Sequence, residues 1–381
     1  MVMSVALTLM ASPALAVSGQ GGGNQPTFGV DASKVKLGNG FIWSSYGGNH
    51  IATVDAVGGD GVLYPIVFSA FGDENINGDV EVNVAESWDN GSLWYINAVV
   101  GRGNIYSEGI SVATTTITRP HVIWGQYDDT LAIWNLMYNK GRTPQTAVNI
   151  SGTHNVCYHC ISIAGTARDT LNISYTDNSG NVYFINSGNN GATFNTPVPI
   201  GTGGQETSIG ADAAGNVFLA WDSGPGNIFF SKKLVGETWS TPAMINSTIT
   251  GHTPSIAVLD DQNIYVAWEG YNGAVVAYTS NGGASWNRSV AGDSSFTSPS
   301  LAVDTSSGNS YGDLSVVGNG NDPMASILMY RSTNGGVSWI TGPVTVMTES
   351  LYPNITVDSQ GRAHIMAGDS YNESVYYTRE K

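Results

Sequence analysis

A short box recurs about every fifty residues, four strand-like runs fall inside each period, and the chain carries 48 glycines, 18 tyrosines and 10 tryptophans with only 12% charged residues. Together these predict an all-β fold, a single seven-bladed β-propeller of four-stranded blades, with six blades as the alternative count. Aromatic and β-branched residues suit short pleated strands, and glycine suits the turns between them. Length alone, 381 residues, would also permit two average domains.

From the N-terminus, residues 1–16 read as a signal peptide: an apolar run ends in the small-x-small pattern Ala14-Leu15-Ala16, although no Lys or Arg precedes it. The run is too short for a membrane span, and no later stretch is apolar enough for one. Residues 17–33, rich in glycine, form a flexible leader. The propeller then occupies 34–381. The chain's formal net charge of −16 argues against nucleic acid as a partner, because phosphate binding needs a basic surface. Asn-x-Ser/Thr sequons at Asn90, Asn149, Asn172, Asn246, Asn287, Asn354 and Asn372 are acceptors for glycosylation if the chain is exported.

The box is clearest in Ser87-Trp-Asp-Asn-Gly-Ser-Leu-Trp94, where Ser87, Asp89, Gly91 and Trp94 set the spacing. It returns at Ser187–Phe194, Thr279–Trp286 and Ser332–Trp339, with Asn189, Asn281 and Asn334 in place of the Asp, and in decayed form at Lys232–Trp239 and Met137–Pro144. The last positions of these copies are 94, 144, 194, 239, 286 and 339, with steps of 50, 50, 45, 47 and 53. Before each box come three strands, A to C, as in Ser255–Asp260, Asn263–Glu269 and Ala274–Thr279, and a strand D follows it. Blades are expected at about 49–100, 105–150, 156–200, 206–247, 252–292 and 297–347. The final unit, 352–380, has strands A to C only, so Lys34–Trp43 is expected to supply its outer strand and close the ring, removing the edges that an open array exposes.

Within a C–D hairpin, the Asp or Asn accepts bonds from turn amides, the glycine permits positive φ, and the aromatic residue packs back between strands. The pattern Ser-x-Asp-x-Gly-x-Thr-Trp resembles the Asp-box, or BNR, repeat of sialidases and related propellers, over nearly the whole mature chain. That resemblance implies a propeller with the boxes on the face opposite any active site, so the box residues are structural. It leaves function open, since such propellers include hydrolases and non-catalytic surface proteins.

A sialidase of this type needs three arginines converging on the substrate carboxylate, a Tyr–Glu nucleophile pair and an Asp acid/base. The blade alignment places Arg119, Arg168 and Arg362 in A–B turns, Arg142 in a box turn, Arg288 on an outer strand, and Arg331 and Arg379 on strands C. Only Arg102 reaches the other face. No arginine triad is recognisable. Another glycosidase needs only two carboxylates, and Glu349, Tyr352, Asp369 and Tyr371 near the last blade are candidates for that chemistry.

On the face away from the boxes, the ends of strands B carry Asp73, Asp128, Asp177, Asp222, Glu269, Asp322 and Asp369. They read either as a ligand-binding rim or as residues that suit the B–C turn through side-chain bonds to the backbone. His50, His159 and His252, at the starts of strands A, read as a collar for a divalent cation, Ca or Zn, or as satisfied channel residues. Cys157 and Cys160 are expected to form a local disulfide; free thiols or a zinc site with His154 and His159 are the alternatives. The expected protein is a secreted or cell-surface binding or scaffold module for an extracellular glycan or protein, the alternative being a glycoside hydrolase. A deep pocket with two carboxylates and an aromatic platform favours the enzyme, and a flat rim favours binding.

Overall fold

The computed structural model describes residues 35–39, 50–57, 63–74, 80–102, 107–115, 119–141, 147–166, 168–246, 250–308, 310–320, 325–340, 342–369 and 374–380. The signal peptide, the leader, Arg142, Asp322 and Tyr371 lie outside them, as do Lys34 and residues 40–43 of the expected closing strand. Among the described residues, twenty-eight strands form seven antiparallel four-stranded sheets, each in the order A-B-C-D. Blade four is representative: Gly204–Ala211, Val217–Ser223, Ile228–Lys233 and Ala243–Met244.

In blade seven the outer strand is Val35–Asn39, which pairs antiparallel with Ser374–Arg379. The first and last described strands thus share one sheet. The core lies between the sheets: each of seven buried clusters joins one blade to the next. At the seam of blades four and five, for example, Phe218 and Phe230 pack with Ile264, Val266 and Trp268. The seven strands A line a central channel of about 250 Å³.

Strand A has one edge without a ladder partner, so its N–H groups need acceptors from elsewhere. Side chains of the preceding blade supply them. Ser162, Ser208, Ser255 and Ser300 accept the N–H of Ile209, Ile256, Leu301 and Ile355 at 3.0–3.3 Å. Asn354 Oδ1 takes that of His50 at 3.1 Å, linking blade seven to blade one.

The boxes fasten the other face. In blade one, Gly91 N–H donates to Ser87 Oγ at 2.8 Å, and Ser92 and Leu93 N–H donate to Asp89 Oδ1 at 3.1 and 2.7 Å. Asn189, Asn281 and Asn334 take the same part towards Thr193, Ser285 and Ser338 N–H. Three box aromatics meet a strand-C ring of the preceding blade: Trp94 on Tyr377 and Phe194 on Tyr138, both with centroids 4.6 Å apart, and Trp286 on Phe230 at 5.0 Å; Trp339 donates its indole N–H to Ser289 Oγ at 2.9 Å. Gly91 and Gly191 have φ of 80° and 78°, and a side chain at either would run into the hydroxyl of Tyr377 or Tyr138. Trp94 is buried at 4% exposure, whereas Trp286 and Trp339 are half-buried.

Candidate functional site

Strands A begin and strands B end on the face opposite the boxes. There, strand A of five blades carries a bulge in which two residues oppose one on strand B, as Gln205 and Glu206 oppose Asp222 in blade four. Blade three differs. Between the pairs Val156↔Asp177 and Ile161↔Tyr175, four residues, Cys157–Cys160, oppose Thr176 alone. A disulfide joins Cys157 to Cys160 across this enlarged bulge. Bulges re-aim side chains and break the ladder locally, and a cavity of about 600 Å³ opens here, between blades three and four. His159, Asn178, Gln205, Glu206 and both cysteines line it.

An aromatic ledge adjoins the cavity. Trp134 of blade two lies 4.7 Å from Tyr158 and 5.4 Å from Tyr127, centroid to centroid, and Tyr158 meets the His159 ring at 4.5 Å. All four side chains are half-buried. Outside the ledge, His154 packs on Tyr183 at 4.3 Å and bonds to the Tyr175 hydroxyl. None of the three ledge aromatics carried a signal along the sequence, because Tyr127 meets Trp134 across two strands of blade two and Trp134 meets Tyr158 across the seam to blade three.

The six described rim acids fall at the ends of strands B, but not at one step. Asp222 and Glu269 hold equivalent ladder positions; Asn319 holds that position in blade six and Gly368 in blade seven. Asp128, Asp177 and Asp369 sit further along their strands. Asp128 Oδ1 accepts the N–H of Thr130 and Leu131, and Asp177 takes those of Ser179 and Asn181. Asp222 Oδ1 accepts Glu206 N–H at 2.7 Å, and Glu269 Oε2 accepts that of Ser298 at 3.0 Å. Asn319 Oδ1 binds Tyr352 N–H in the same way. Ser298 and Tyr352 both have positive φ, at 50° and 57°. Asp369 is buried, Glu349 is exposed, and Asp73 is placed by its backbone pairing with Glu81.

His50, His159 and His252 begin strands A of blades one, three and five and do not form a ligand group. His50 is buried, its Nδ1 lies 3.4 Å from Ala70 O, and burial lowers its pKa to about 4. His252 is half-exposed, with Nδ1 3.1 Å from Asp222 Oδ2. Burial also lowers the pKa of His159. Among the described residues, one group of three or more potential metal ligands has its atoms within 4.8 Å of one another: Cys157, His159 and Cys160.

Glu206 is 9% exposed, and its Oε2 has no hydrogen-bond partner. Burial, reinforced by the neighbouring charges of Asp222 and Glu269, pushes its pKa up to about 8, against the pull of the Thr253 N–H. At neutral pH this side chain is therefore a carboxylic acid with a hydrogen to donate. Asp222 is also raised by burial, offset in part by Glu206 N–H and His252.

The described arginine side chains lie elsewhere. Arg362 is paired with Asp358 and Arg331 with Glu380, both at 2.8 Å, while Arg379 reaches Ser92 in the first box. Arg119 and Arg168 are exposed in A–B connections, and Arg288 is on an outer strand. The side chain of Arg102 is not among those described.

No protein-family model matches the sequence, and no curated protein does. Solved structures do match in shape. The lectin BP39L from Burkholderia pseudomallei superposes with a TM-score of 0.60, at 13% identity, over 87% of this chain and 96% of that one. YCF48 bound to D1 peptide gives 0.54 at 13% identity over 97% and 99%, and the Hadza microbial sialidase Hz136 gives 0.51 at 13% over 79% and 73%. The chain is a sialidase-like β-propeller in fold. The neighbours include both binders and enzymes, so the fold leaves open whether this one binds or catalyses. Among the described residues, no helix is long and apolar enough to cross a membrane.

Proposed function

We propose that this chain is a non-catalytic carbohydrate-binding propeller, whose ligand seat is the aromatic ledge Tyr127–Trp134–Tyr158 together with the adjoining cavity. The observation that carries the reading is that juxtaposition: half-exposed rings beside an open, polar cavity. Sugar rings present C–H faces to aromatic side chains and hydroxyls to hydrogen-bonding groups. The named lining groups, His159, Asn178, Gln205 and the protonated Glu206, supply donors and acceptors, and among the described residues neither Lys nor Arg lines the cavity. A neutral glycan fits this set better than a sialic acid, whose carboxylate calls for guanidinium groups.

The carboxyls favour binding over hydrolysis. Glycoside hydrolysis uses one proton-donating acid and one ionised carboxylate free to act as base or nucleophile. Glu206 suits the first part, but Asp177, the other acid on the cavity wall, is engaged by its own turn. The lectin likeness supports the same side. Export to the cell surface or the medium accompanies this reading, and the disulfide supports it, because such bonds persist in oxidising compartments.

The test is a glycan array on the folded protein, with Trp134→Ala and Tyr158→Ala alongside and a panel of aryl glycosides assayed for sugar release. Binding of neutral glycans without turnover, lost in both variants, is the expected result. Turnover abolished by Glu206→Gln would establish the hydrolase instead.

A further inference from the structure

We propose that the chain, once Cys157–Cys160 is reduced, binds a zinc ion through Cys157, His159 and Cys160, with the fourth position of the ion open to the cavity between blades three and four. The starting point is the geometry of the enlarged bulge. At the corresponding place in blades two, four, five, six and seven, two residues oppose one; in blade three there are four, and three of those four are zinc-ligating types. In a regular strand, Cys157 and Cys160 would point to opposite faces. The bulge cancels that alternation and brings both sulfurs and the imidazole within 4.8 Å of one another.

The loop is held independently of the sulfur–sulfur bond. Its remaining residue, Tyr158, seats its backbone against Gly109 and Gly125 of blade two, where a side chain on either glycine would collide with the Tyr158 carbonyl. The Tyr158 ring is braced by Trp134. Breaking the disulfide therefore leaves the cysteines near their present places, and only a small separation of the sulfurs is needed to admit an ion.

Two thiolates and one imidazole form a set that suits zinc, and three protein ligands with one open position is the arrangement that lets a zinc ion take water or a ligand group. The open side here is the cavity that Gln205 and Glu206 also line. The interconversion balances as thiol–disulfide exchange. An external dithiol gives two electrons and two protons to Cys157–Cys160 and becomes a disulfide itself; zinc then displaces the two thiol protons to solvent. Disulfide and metal are alternative states of one site, so oxidant releases the ion.

The experiment compares the oxidised protein with protein reduced by a dithiol and desalted without oxygen, each incubated with zinc chloride and passed through gel filtration before metal analysis. The reduced chain should retain about one zinc and the oxidised chain essentially none. Cobalt in place of zinc should give the thiolate charge-transfer absorption of sulfur ligation. His159→Ala keeps the disulfide available for folding and should weaken zinc binding by about tenfold or more in competition with a chromophoric chelator, as expected for losing one of three protein ligands. Equal zinc retention in the two redox states, a cobalt spectrum without thiolate bands, or unchanged affinity in His159→Ala would each overturn the proposal.

Discussion

Glu206 shows how a single side chain on the face opposite the boxes couples stability to pH. Its pKa is raised from 4.5 to about 8 in the folded protein, with burial the largest cause. The folded state therefore holds a proton that the unfolded state has lost between those values, so the contribution of Glu206 to stability is full below about 4.5 and is lost as pH rises through about 8. Glu206→Gln mimics the protonated form. It should leave stability near pH 4 unchanged and raise it above pH 8 by a few kcal/mol, since a tenfold change in an acid's ionisation constant corresponds to about 1.4 kcal/mol; denaturant unfolding at the two pH values checks this, and equal effects at both would contradict it. Box aromatics separate by burial. Trp94→Ala should cost about 3–5 kcal/mol, the range for emptying a fully buried aromatic site, and Trp286→Ala and Trp339→Ala should each cost less, because their indoles are half-buried. Equal losses for all three would mean that exposure does not govern the contribution of the box.

At the level of the strand, the boxes were legible in the sequence because they are local: Ser87, Asp89, Gly91 and Trp94 satisfy one another within eight residues. Period and blade count followed from them. The bulges were not legible, because a bulge is a property of two strands in register and leaves no composition of its own. The rim acids, aligned by sequence at one step, are staggered in the structure because strands B run on for different lengths beyond the bulge, so that Asp369 and Asp128 lie further along than Asp222. The Ser-Ile pairs at Ser208 and Ser255 were visible as strand pattern, yet their hydroxyls serve the next blade, which only assembly shows. Ser208→Ala removes the acceptor for the Ile256 N–H and leaves a buried donor unpaired, so a loss of about 1–3 kcal/mol is expected. Stability within about 0.5 kcal/mol of the parent, measured by denaturant unfolding, would show that another acceptor replaces it.

The whole molecule is a ring of seams, in which every blade buries its faces on two neighbours and each cluster of described core residues joins two blades. Deleting residues 35–39 uncovers one edge of blade seven, and the expected result is one cooperative thermal transition at lower temperature, accompanied by self-association through the bared strand. Two separated transitions, or an unchanged melting temperature with monomeric elution, would show that the closing strand is dispensable. That same strand pair also bears on synthesis. Val35–Asn39 emerges from the ribosome before any of the seven blades is complete, and its partner Ser374–Arg379 emerges after six of them. Throughout that interval the nascent chain is an arc with two raw ends, and closure of so long a loop is slow and open to wrong pairings. Chains stalled short of blade seven cannot shut the ring and remain targets for chaperones and proteases, so the closing strand acts as a timer that separates finished molecules from unfinished ones.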